Sequence, residues 1–544
     1  MTAFTMQQFS GSVPRHADHV GSKGQASKAI DCKFDSGNLD SFRQPLLVRE
    51  VGEAVASYLH DCCWFDFDGC VDVAYGSATC KEAFVTGYRE YPVALTINDH
   101  DTCEVTERRL GMPCPLVAPS VVLGDLNDTH ERDLEGRSYA YQYVSSLGWK
   151  SELSPASKAV NVRDGQTCII SGWVRPDPED NWDVVSVNIY RTVSGYQAGN
   201  EQGNIPDTTW MLVATVDINE VGYVDSLRND DLYEANEEEM VMPPPDGLRG
   251  IIWIENCNAL MGFVGNRIYA SENNNYHNWP YYYTLDDNVC GLCESDGIVY
   301  VATDGAPYIL AGKVGCETAG CREIVRLHGR YPMVGCGNRR IAAIRGGVVY
   351  PSHKGLVLLS NKTPPAYITW QLYSAEEWQK LIPPSITPVE VDGKLYVFGQ
   401  GGSFYMKLSN GSESGWNLDV HSSLSDTGVT DAFVTRQGDF YIVKDNKLYL
   451  WDKSSELRPH FFKSIEVVTN GPIGWGAGKL VFKYGSERVI IETDGRTVLD
   501  RQVLSSREFR LPNYAVGSRT FVTLQGIACI SLASIATTMH ELGR

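Results

Sequence analysis

The sequence predicts an all-β chain: a β-propeller carrying an inserted immunoglobulin- or fibronectin-like β-sandwich and followed by a C-terminal β-sandwich. Three observations carry this reading. Short strands ending near a tyrosine recur through the middle of the chain as Gly297-Ile298-Val299-Tyr300, Gly347-Val348-Val349-Tyr350, Gly393-Lys394-Leu395-Tyr396 and Gly438-Asp439-Phe440-Tyr441. Turn residues Gly305, Gly355, Gly402 and Asn446 then lead into a second strand each time. From Tyr300 the intervals to Tyr350, Tyr396 and Tyr441 are 50, 46 and 45 residues, a drifting period in the range of propeller blades. A lone hairpin does not stand in water, so the repeat demands sheets packed side by side in an array.

The elements follow in order. Residues 1–49 read as an extended arm: Gly11, Pro14, Gly21 and Gly24 interrupt any periodicity, so the segment orders only against another part of the chain or another subunit. Residues 50–130 read as the first propeller sheet or sheets, with Cys62-Cys63-Trp64-Phe65-Asp66-Phe67 entering a turn and Val71-Asp72-Val73-Ala74-Tyr75 leaving it. Residues 131–245 carry short strands between Gly, Asp and Pro clusters, among them Tyr139-Ala140-Tyr141-Gln142-Tyr143-Val144 and Val187-Asn188-Ile189-Tyr190, which is the size and pattern of an inserted sandwich. Asn236-Glu237-Glu238-Glu239 and Met242-Pro243-Pro244-Pro245 close it as a stiff linker. Residues 246–455 hold the remaining blades. In 456–544 strands such as Val489-Ile490-Ile491-Glu492 and Phe521-Val522-Thr523-Leu524 leave the blade spacing, and a separate C-terminal sandwich is the simpler account.

Composition bounds the function. At 544 residues the chain is too long for one core. No apolar run reaches the length of a membrane-spanning helix, and the polar start predicts synthesis in the cytosol without a secretory signal or membrane insertion. With 47 Lys+Arg against 67 Asp+Glu the net charge is −20, so the average surface repels phosphate and specific nucleic-acid gripping is not expected.

Candidate chemistry is sparse. Asp66-Phe67-Asp68-Gly69 and Asn98-Asp99-His100-Asp101 gather carboxylates, but a calcium loop needs a longer run of oxygen ligands closed by a glutamate, so turn capping is the better reading. His16 and His19 fall in the arm and are expected to be solvated. Trp279, Tyr281, Tyr282 and Tyr283 suit either a sugar-stacking platform or packing between blades or subunits. The fifteen cysteines leave three fates open. Cys290-x-x-Cys293 with Cys316-x4-Cys321 could hold zinc, a disulfide could form outside the reducing cell, or the thiols could stay free. Adjacent Cys62 and Cys63 cannot both face one side of a strand. No catalytic, cofactor-binding or metal-binding residue is assigned, and the chain is read as a protein without enzymatic activity or cofactor.

Three stretches carry a resemblance. They are Asp246-Gly247-Leu248-Arg249-Gly250 with Gly262-Phe263-Val264-Gly265-Asn266-Arg267-Ile268-Tyr269 and His277-Asn278-Trp279-Pro280; Cys336-Gly337-Asn338-Arg339-Arg340 with Ser352-His353-Lys354-Gly355; and the ending Ile535-Ala536-Thr537-Thr538-Met539-His540-Glu541-Leu542. Together with Pro14-Arg15 and Ser36-Gly37-Asn38-Leu39 in the arm, they resemble virion structural proteins of tailed bacteriophages, of the propeller-bearing nozzle or tail-tubular kind. The resemblance touches nearly the whole chain. It implies a tail or neck component assembled in the host cytoplasm. Such a component forms a homo-oligomeric ring, expected to be hexameric, around passing genomic DNA and docks other tail or connector proteins. A propeller-fold carbohydrate-active or receptor-binding tail protein is the alternative. The high cysteine count departs from the family pattern.

Overall fold

A computed structural model describes residues 3–52, 54, 56–60, 62–76, 82–126, 134–163, 165–193, 209–232, 241–312, 323–335, 337–381, 386–399, 401–411 and 415–543. Among the described residues its centre is a β-propeller of seven radial units. Blade one is a two-stranded hairpin, Ala56–His60 with Cys63–Phe67. Blade two spans residues 72–109, blade three 249–284, blade four 289–326 and blade five 342–367, each four antiparallel strands in sequence order. Blade six spans 387–424. Blade seven takes three strands from 429–450 and its outermost from Leu46–Glu50, which pairs antiparallel with Lys447–Leu450.

Closure is visible at the axis. The innermost strands of blades two to seven pack each on the next, and that of blade seven reaches the hairpin of blade one. The ring is completed where Ala56, Tyr58 and Phe67 pack with Val71, just ahead of blade two, and with Ala83, Val85 and Val93 of that blade. Further apolar clusters fill the other clefts, as between blades three and four, where Phe263 and Ile268 meet Leu292 and Val301.

The tyrosines that set the repeat all lie on second strands: Tyr300, Tyr350, Tyr396 and Tyr441 are buried there. Alternation puts one face of each strand into the cleft, and glycines with positive φ such as Gly297 (79°), Gly393 (77°) and Gly438 (85°) close the preceding turns, where an L side chain is strained. A single α-helix among the described residues, Ala375–Leu381, leads into blade six; Ser374 and Glu377 cap it reciprocally, and buried Trp378 anchors it by donating Nε1–H to the Ser352 carbonyl.

Two sandwiches flank the wheel. The inserted one packs strands Ser120–Leu126, Gln166–Ser171 and Gly222–Asp225 against Tyr139–Val144, Ser186–Val193 and Thr209–Asp217 around Tyr141, Ile170 and Ile189. Its first strand therefore begins before residue 131, because Val121 and Val122 pair with Ile170 and Ile169 rather than with any blade. Of the expected linker, Asn236–Glu239 lies outside the described residues. Met242–Pro245 is docked, since Trp279 donates its backbone N–H to Met242 and Pro243 and Pro244 crowd Gly111.

The C-terminal strands do form two facing sheets, but not alone. Ala3–Met6 pairs with Ile530–Ala536, and Gln25–Ile30 joins His460–Ser464 on one side and the outer strand of blade six on the other. Of the two expectations for the arm, ordering against another part of the chain or against another subunit, the first is what is seen: residues 3–50 are woven into the same chain, because Phe4, Met6, Phe9 and Phe42 are apolar enough to be buried in the core shared by the sandwich and blades six and seven.

Candidate functional site: the propeller hub

The channel is crossed by the segment between blades four and five. Gly337, at φ 111°, turns the chain into a 3-10 turn, Asn338–Arg340, that sits across the axis. Gly337 donates its N–H to Cys290 and Asn338 accepts from the Leu292 N–H at 2.8 Å, both on blade four. The Asn338 amide donates to Ile251 of blade three, and its backbone N–H donates to Asp72 of blade two at 2.7 Å.

Arg339 completes the tie. Its guanidinium donates to Asp431 of blade seven at 2.9 Å and to the Ser57 carbonyl of blade one at 2.8 Å. It also lies between the Tyr58 ring, 3.7 Å from the centroid, and the Phe433 ring at 4.5 Å. Every face and two of the donor nitrogens are engaged. Three residues of one linker, Gly337, Asn338 and Arg339, therefore touch five of the seven blades.

Burial governs the acids here. It pushes the Asp72 carboxyl up to about 6, against the pull of the Asn338 N–H and the Arg339 charge. It also raises Asp431, with Arg339 opposing. Tyr58 is raised by burial as well and donates its hydroxyl to the Val71 carbonyl.

Beyond the plug the channel widens into a basin of about 500 Å³ bordered by the ends of all seven innermost strands. Its carboxylates among the described residues are Asp72, Glu294 and Glu390. Glu294 accepts from the Gly297 N–H and Glu390 from the Gly393 N–H, each at 2.7 Å, so both carboxylates brace their own hairpin turns. Trp253 at the rim donates Nε1–H to Glu255. The arrangement offers an aromatic and acidic bowl whose side chains are already partnered.

The other candidates scatter. Asp66 accepts from Arg49 and from Ser57, and Asp99 caps the N–H of Asp101 and the Thr102 hydroxyl, which hold its carboxyl below the usual range. His16 and His19 are exposed. Trp279 is buried between blades two and three, Tyr281 and Tyr283 pack into the blade three–four cleft, and Tyr282 stands 63% exposed beside Arg267, so no shared stacking platform exists. Cys290 and Cys293 belong to the cleft between blades four and five, where burial pushes the Cys293 thiol up to about 12. Cys316 and Cys321 lie outside the described residues.

A disulfide joins Cys63 of blade one to Cys103 in the last turn of blade two, with the Cys62 thiol exposed 4.0 Å away. Cys62 precedes the strand, which begins at Cys63, and both sulfurs lie against the His100 carbonyl, so strand alternation does not part them. The pairing with Cys103 was not legible, because nothing local marks a partner 40 residues away. The hub roles of Asn338 and Arg339 were also missed. Their only signal was membership of the quoted stretch Cys336–Arg340.

No family model matches the chain, and no curated protein matches it. Among solved structures, BamB from Moraxella catarrhalis aligns at 11% identity and TM-score 0.30 over 72% of this chain and 86% of its own. Sqt1 from Saccharomyces cerevisiae aligns at 10% and 0.29 over 73% and 86%. An exo-β-1,3-galactanase from Phanerochaete chrysosporium aligns at 9% and 0.20 over 55% and 97%. At such scores these likenesses carry no argument about what this chain binds or does.

Proposed function

We propose that the chain is a structural subunit of a bacteriophage tail or neck, forming a homo-oligomeric ring around the DNA channel and docking neighbouring tail parts. The sequence resemblance supplies the virion setting. The net charge of −20 suits a wall along which DNA slides without sticking.

One observation carries the docking role. On the inserted sandwich Val122 lies opposite Ile169, and Ile169 opposite Val224, so the three form a row across one sheet. They are 59%, 42% and 53% exposed, while their alternating neighbours Val121, Cys168, Ile170 and Tyr223 face the core. A row of branched aliphatics on the water side of a sheet costs free energy until another surface covers it.

Negative-stain imaging and light scattering of the purified protein test this reading. Rings of fixed stoichiometry are expected, and the triple variant V122S/I169S/V224S should stay folded and fail to assemble. A protein that remains monomeric at every concentration, or that hydrolyses glycans, overturns it.

A further inference from the structure

The channel has a second compartment where the innermost strands begin. It is a cavity of about 230 Å³ on the far side of the Arg339 plug. Arg249, which opens the inner strand of blade three, and Arg340, which ends the plug, both border it. Val71 and Phe263 give it an apolar wall.

Charge is uncompensated there. Asp72 and Asp431 also border the cavity, but the first accepts from the Asn338 N–H and the second is paired with Arg339. Neither the Arg249 nor the Arg340 guanidinium has a hydrogen-bond or ion-pair partner among the described residues. In a protein with a net charge of −20, two unpaired guanidiniums at one cavity are conspicuous.

Two glycines hold the walls in place. A Cβ at Gly335 would fall 2.0 Å from Nη1 of Arg340, the free end of a flexible side chain, so it is the φ of 78° that favours glycine there and leaves the guanidinium lying across the backbone. A Cβ at Gly250, φ 65°, would fall 2.1 Å from the Phe263 ring, so only glycine lets the ring lie flat there.

We propose that this compartment binds a carboxylate with a small apolar body, the carboxylate held by Arg249 and Arg340 and the body resting on Val71 and Phe263. Guanidinium forks match carboxylates in geometry as well as charge. The cavity is smaller than a drug-sized pocket, so the guest presents few heavy atoms. A free carboxylic acid and the C-terminal carboxylate of a neighbouring chain share this chemistry. The inference stands independently of the docking row on the sandwich.

Calorimetric titration of the full chain tests it with two probe pairs: benzoate against benzyl alcohol, and the peptide Gly-Gly-Phe with a free C-terminus against its amide. Binding of benzoate but not of the alcohol assigns a small-molecule site. Binding of the free peptide alone assigns a chain-end site. In either case R249Q and R340Q should each weaken binding at least tenfold while leaving the urea midpoint unchanged. If neither carboxylate binds, or if each binds no better than its uncharged partner, or if both variants bind as the parent does, the proposal fails.

Discussion

The guanidinium of Arg339 donates to the Asp431 carboxylate across 2.9 Å, joining the linker after blade four to the innermost strand of blade seven. The pair closes the ring through its centre, where the rim closes through the Leu46–Glu50 strand. Asp431 is only 6% exposed in this pair, so removing Arg339 strands a buried charge. Arg339→Met should therefore destabilise the protein by about 3 to 5 kcal/mol in urea unfolding. Adding Asp431→Asn should recover part of that loss, because the orphaned charge goes with it. Additive costs in the double variant would show that the two side chains are not coupled.

Asp72 predicts a pH dependence of unusual sign. Its carboxyl is raised from 3.8 to about 6, so between those values the folded protein holds a proton that the unfolded chain has released. The stability this group contributes is present below about pH 4 and is lost as pH rises through about 6, by about 3 kcal/mol in all. Asp72→Asn cannot ionise. Compared between pH 4 and 7, the variant should therefore gain on the parent by about 3 kcal/mol as pH rises, and urea midpoints that run parallel would refute the assignment.

The blades were legible where each second strand carries a tyrosine after a turn glycine. Tyr269 stands only 31 residues before Tyr300 and does not continue the repeat, because it lies on the third strand of blade three, whose second strand carries Met261 and Phe263 instead. Blades one and two both fall within residues 50–130, read as the first propeller sheet or sheets, but their number was not legible, because blade one has only two strands and the sandwich separates blade two from blade three. Pairings such as Tyr449 with Leu47 and Phe4 with Ile535 join distant segments, and no local periodicity reports them. The hub was hidden for a related reason: Asn338 and Arg339 act through partners on five blades, and a motif scan sees neighbours in sequence only.

The Cys63–Cys103 disulfide fastens the thinnest unit of the ring to its full-sized neighbour. Cross-linking across 40 residues removes conformational freedom from the unfolded chain worth about 4 kcal/mol. Reductant, or the pair Cys63→Ser and Cys103→Ser, should lower stability by about 2 to 4 kcal/mol. Cys62→Ser should leave it unchanged, and reductant should then still act. A parent protein indifferent to reductant would show that the bridge does not contribute to the fold.

His421 ties the N-terminal segment to blade six, and its titration runs opposite to that of Asp72. The ring meets the Ser12 hydroxyl at Nδ1 and the Tyr373 hydroxyl at Nε2, each at 3.1 Å, and burial lowers it from 6.5 to about 4. Between those values the unfolded chain carries a proton that the folded one excludes. The stability is therefore present above about pH 6.5 and is lost as pH falls through about 4, by about 3 kcal/mol. Gly11 lets the strand approach, since a Cβ there would sit 2.1 Å from the His421 backbone nitrogen. Limited proteolysis should accordingly cut the first thirty residues faster at pH 4.5 than at pH 7. Gly11→Ala should expose the same sites already at pH 7, because a methyl group forces apart the contact that protonation loosens. Cleavage that is independent of both pH and the substitution would mean that the segment is held by the Phe4 and Met6 strand alone.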